Sequence, residues 1–99
     1  MKARVILFVL VSALAWSIAH AETNVYMARL FADVYRTEDF LQVDDASKID
    51  ELQKIKIVSR DGKLVEVHGI RHIYDGRSIY LTEVLRHNFL SGARIYMIK

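Results

Sequence analysis

Ile55-Lys56-Ile57-Val58-Ser59-Arg60-Asp61-Gly62-Lys63-Leu64-Val65-Glu66-Val67-His68 is the stretch on which the fold turns. Two β-branched runs flank an Asp-Gly dipeptide, the pattern of an antiparallel hairpin. A two-residue turn of type I′ is the expectation at Asp61-Gly62, since it needs positive φ at both central positions. Immediately downstream the pattern repeats. Ile70 to Tyr74 leads into Asp75-Gly76 and then into Ser78 to Leu81, so a second hairpin is expected, with Gly69 as a bulge between the two. Together these runs predict an antiparallel β-meander of three or four strands.

Outward from the meander, the C-terminal run Arg94 to Lys99 alternates as a closing strand, with Ile95 and Met97 on one side and Tyr96 and Ile98 on the other. Three other stretches read as short helices. Met27, Leu30, Phe31 and Val34 fall at i, i+3, i+4 and i+7 within 24–36, although Tyr26, Ala28, Leu30, Ala32 and Val34 also permit a strand there. Ser47 with Asp50 and Glu51 resembles a capped helix start that would bury Ile49, Leu52 and Ile55. Thr82 is placed to cap a helix through Phe89, with Val84, Leu85 and Phe89 inward and Gly92 just beyond its end. The resulting expectation is an α+β fold, a small single domain with an antiparallel β-meander and two or three short helices.

The N-terminal segment reads as an export signal rather than as part of that domain. Lys2 and Arg4 precede a run of uncharged, mostly apolar residues over 5–18, and Ala19-His20-Ala21 forms an A-x-A cleavage site before Glu22. The run is shorter than the roughly 20 apolar residues that span a bilayer. A cleaved signal over 1–21 and one domain over 22–99 follow, with the periplasm or the medium as destination and membrane attachment only through an uncleaved signal.

Cleavage also changes the charge argument. The whole chain carries 14 Lys+Arg against 12 Asp+Glu, a formal net charge of +2. Lys2 and Arg4 supply that excess, so the exported part is balanced and a nucleic acid is a disfavoured partner. Within it, 22–59 has a net charge of −3 and 60–99 a net charge of +3. The chain has no cysteine, which excludes disulfides and thiol nucleophiles.

The residues that point to function lie in the C-terminal half. Arg71, His72, Tyr74, Arg77 and Tyr80 are the candidate binding residues. Arginine offers forked donors for carboxylate or phosphate, and tyrosine offers rigid apolar area with a hydroxyl. The expectation is a non-catalytic binding or interaction protein whose partner is another envelope or extracellular protein or an anionic ligand, with no cofactor. Two alternatives use the same half. Glu66 or Glu83 with His68, His72 or His87 and Arg71 or Arg86 supplies the ingredients of a small secreted phosphodiesterase or ribonuclease. His68, His72 and His87 would serve a periplasmic metal-binding protein, although His68 and His72 stand about 13 Å apart along an unbroken strand.

Overall fold

The computed structural model describes residues 24–98, so the expected signal over 1–21 lies outside the described residues. Seven strands form: β1 (Asn24–Arg29), β2 (Phe40–Gln42), β3 (Lys54–Val58), β4 (Val65–His68), β5 (Ile70–Tyr74), β6 (Ser78–Leu81) and β7 (Arg94–Ile98). They make two antiparallel sheets, a four-stranded one in the order β1-β7-β3-β4 and a three-stranded one in the order β2-β6-β5. Among the described residues there is no helix, so the fold is all-β and the expected α+β class is wrong.

Both hairpins form, but they do not build one meander. β3 pairs with β4 in register Ile55↔His68 to Val58↔Val65, whereas β5 pairs with β6 in the other sheet. Gly69 is where the chain crosses between sheets rather than a bulge. The Thr82 N–H donates to its carbonyl at 3.1 Å, and a Cβ at position 69 would stand 3.1 Å from Thr82 Oγ1. The bulges fall elsewhere, between Tyr26 and Ala28 and between Ile70 and His72.

The two Asp-Gly turns also differ. At Asp75-Gly76 both residues have positive φ, 55° and 64°, and the Arg77 N–H donates to Tyr74 O, as a type I′ turn requires. At Asp61-Gly62 only Gly62 is positive, at 76°. The Asp61 carboxylate there accepts from the Ser59 hydroxyl and the Lys63 N–H, which stabilises a longer four-residue loop.

The three expected helices are replaced by strand and irregular chain for local reasons. In 24–36 the bulge after Tyr26 offsets the strand alternation, and Phe31, which a helix would bury, is 69% exposed. At 45–53 the Asp45 and Asp50 carboxylates accept from the Ser47 and Leu52 N–H groups. Those side-chain turns compete directly with helical bonding. Between Thr82 and Phe89 the backbone is bonded to distant chain: Leu85 donates to Glu38 O, and Phe89 exchanges both bonds with Val34. Gly92, with φ 95°, ends a turn that leads into β7 and caps no helix.

The closing strand is present, and it lies at the centre of its sheet between β1 and β3. Its inward residues Ile95 and Met97 are buried as the alternation requires. Ile55, Ile57 and Ile95 from the larger sheet meet Leu41, Ile79 and Leu81 from the smaller one in a single core, which Phe89 and Leu85 close from the irregular segment. Because both inner faces feed one core, the outer faces of the two sheets point away from each other.

Candidate functional site

The outer face of the three-stranded sheet follows from its alternation. Leu41, Ile79 and Leu81 point inward, so Phe40, Gln42, Ser78, Tyr80, His72 and Tyr74 point outward. Register places Phe40, Tyr80 and His72 in one row across the sheet. The Phe40 and Tyr80 rings stack with centroids 5.6 Å apart and planes at 24°, and the Arg71 guanidinium lies 5.6 Å from the Tyr80 ring centroid. His72 meets Tyr74 edge to face at 5.7 Å. A cation over a tyrosine face contributes about 0.5–1 kcal/mol at an exposed site, which holds the arginine without burying it.

Four of the expected binding residues, Arg71, His72, Tyr74 and Tyr80, therefore come together on one exposed face. Arg77 does not join them. It sits in the hairpin turn and lines a hollow of about 390 Å³ with Phe31, Gln42, Val43, Asp44, Asp75 and Ser78. Phe40 is the member that sequence reading missed. The polar, acidic stretch 37–45 around Phe40, Leu41 and Val43 reads only as a turn with a short extended or helical piece, and the pairing of β2 with β6 is what brings the Phe40 ring onto Tyr80. Carboxylates stand beside two of these residues: Asp39 lies 3.4 Å from Arg71, and Glu51 lies 3.5 Å from His72. Both contacts are exposed, so neither holds its partner strongly.

A second cluster gathers chemistry at the edge of the larger sheet. Glu66 and His68 occupy inward positions on β4 and are 7% and 6% exposed. The Glu66 carboxylate accepts from His68 Nε2 at 2.8 Å, His87 Nδ1 at 2.9 Å, the His87 N–H at 2.8 Å and the Arg86 N–H at 3.0 and 3.1 Å. An ionised carboxylate only accepts, so each ring nitrogen presents its N–H. Burial pushes the Glu66 carboxyl up, but the Arg86 N–H, the two histidine rings and the His87 N–H outweigh it and hold it below the usual carboxylate range. Glu83 and Arg86 join these residues around a hollow of about 200 Å³.

The three histidines considered for a metal are not brought together. His68 faces the core of one sheet, His72 is exposed on the other, and His87 shares Glu66 with His68. Among the described residues no group of three or more His, Asp or Glu side chains is placed to hold a metal ion.

No protein-family model and no curated protein matches the chain. Among solved structures, the chain is similar to the Gp54 tailspike of Acinetobacter baumannii bacteriophage AP22, determined in complex with A. baumannii capsular saccharide. The TM-score is 0.67 at 16% sequence identity, over 79% of this chain and 15% of the tailspike. The likeness is one of fold, and this chain spans a small part of that protein's length.

Proposed function

We propose that the chain is an exported, non-catalytic binding module that holds a cell-surface saccharide on the outer face of its three-stranded sheet. The observation that carries the reading is the platform of Phe40, Tyr80 and Arg71, flanked by His72 and Tyr74. Aromatic faces suit the C–H surfaces of sugar rings, and arginine, histidine and tyrosine supply donors for hydroxyl and carboxylate groups. The fold likeness to a tailspike solved with a capsular saccharide supports the same partner class. The signal expected over 1–21 supports the export part of the reading.

The test is binding of the exported chain to an array of bacterial capsular and lipopolysaccharide fragments. Retention of a subset of glycans, lost in Tyr80→Ala and Arg71→Ala at an unchanged melting temperature, is the expected result. Retention of no glycan, or equal retention by the folded variants, refutes the reading.

The hydrolase alternative rests on the hollow that joins Glu66, Glu83, His68, Arg86 and His87. Glu66 is a poor base there, because four donors already occupy its lone-pair sites and its carboxyl is held low. We assign the cluster to holding 82–88 against β4. Absence of turnover on RNA and on simple phosphodiesters is the expected outcome, and turnover that Glu66→Gln abolishes in a folded protein would reverse the assignment.

A further inference from the structure

The outer face of the four-stranded sheet, on the opposite side of the molecule, has a different composition. Register and alternation place Asn24, Tyr26 and Arg29 of β1, Arg94, Tyr96 and Ile98 of β7, Lys54, Lys56 and Val58 of β3, and Val65 and Val67 of β4 on it. No aspartate or glutamate occupies any of these positions. The ion pairs among the described residues are those of Glu66 with two histidines, Asp39 with Arg71 and Glu51 with His72, so none engages Arg29, Lys54, Lys56 or Arg94.

One feature of the face works against the stability of the isolated domain. Arg29 and Arg94 stand directly opposite each other across β1 and β7. Like charges at facing positions destabilise a strand pair, and neither guanidinium makes an ion pair among the described residues, the Asp44 carboxylate accepting instead from the Arg29 backbone N–H at 2.9 Å. An anionic partner removes that repulsion on contact. The rest of the face limits what the partner is. Val65 and Val67 are 44% and 50% exposed beside an edge-to-face Tyr26–Tyr96 pair, and Asn24 is the one neutral amide. Exposed β-branched residues, tyrosines and unpaired cations match the interfacial zone of an anionic bilayer.

We propose that this face docks the domain on an anionic phospholipid surface, leaving the aromatic platform of the other sheet directed away from the membrane. The inference concerns a separate surface and stands whether or not the platform binds a glycan. The test uses protein purified from cells that express the full chain, sedimented with vesicles of phosphatidylglycerol and phosphatidylcholine or of phosphatidylcholine alone. Binding to the anionic vesicles only, released near 1 M salt where the screening length is about 3 Å, is expected. Lys54→Gln/Lys56→Gln is expected to weaken it about thirtyfold. Arg29→Gln is expected to weaken it about fivefold while raising the melting temperature, a combination that a purely structural role does not produce. Equal binding to both vesicle types, unchanged binding by these variants, or capture of a single-stranded oligonucleotide in place of vesicles overturns the proposal.

Discussion

Glu66→Ala tests how the irregular segment is held. The wild-type carboxylate is buried and takes four N–H donors, two from the Arg86 and His87 backbone and two from the His68 and His87 rings. Truncation leaves the buried His68 N–H and both backbone groups without acceptors. Removing one member of such a charge-assisted network costs about 3–4 kcal/mol. A domain of this size has roughly 4–11 kcal/mol in total, so the variant is expected to melt about 15–25 °C lower. Glu66→Gln is not a rescue, because its amide NH2 would face donors, and its loss is expected within about 1 kcal/mol of the alanine variant. Thermal and urea melts measure both, and hydrogen exchange reads the Arg86 and His87 amides directly. A loss below about 1 kcal/mol in Glu66→Ala, or retained protection at those amides, would refute the reasoning.

Other expectations follow from the same geometry. Acid should unfold the domain: the Glu66 carboxyl, held below its ordinary range, stabilises the fold above that range, and that stability is lost as pH falls through the lowered value. The exposed Asp45 and Asp61 act in the same direction, being lowered by Ser47 and Ser59 respectively, so an acid-stable melting temperature would contradict the scheme. Phe89→Ala removes the largest fully buried side chain and is expected to cost about 3–5 kcal/mol, read by urea denaturation. Leu52→Ser is expected to shift stability by less than about 0.5 kcal/mol, because Leu52 is 92% exposed; a loss of 1.5 kcal/mol or more, roughly that of a buried leucine, would instead favour a helix over 47–55.

What the chain discloses locally was legible, and what depends on distant partners was not. Both hairpins and β7 are visible because β-branched alternation and Asp-Gly turns act within a few residues. The apparent helix at 82–89 misled because Leu85 and Phe89 are both buried four residues apart, which is also helical spacing. What holds that segment out of a helix is Glu66, about twenty residues away, and the chain around Val34 and Glu38. No window of sequence shows those bonds. At 24–36 the bulge after Tyr26 broke the two-residue alternation and left a spacing that a helix also satisfies. The site shows the same division. Arg71, His72 and Tyr74 are one strand's exposed residues, but Phe40 reaches Tyr80 only through the β2–β6 pairing, and the separation of Arg77 depends on where the turn falls.

The most direct measurement of the proposed saccharide surface on the three-stranded sheet is an amide chemical-shift titration of the labelled protein with capsular oligosaccharide fragments. Saturable shifts that cluster at Phe40, Arg71, His72, Tyr74 and Tyr80 are expected. Shifts confined to Tyr26, Lys56 and Tyr96 or to the Glu66 hollow, or no saturable shift with any fragment, would contradict it.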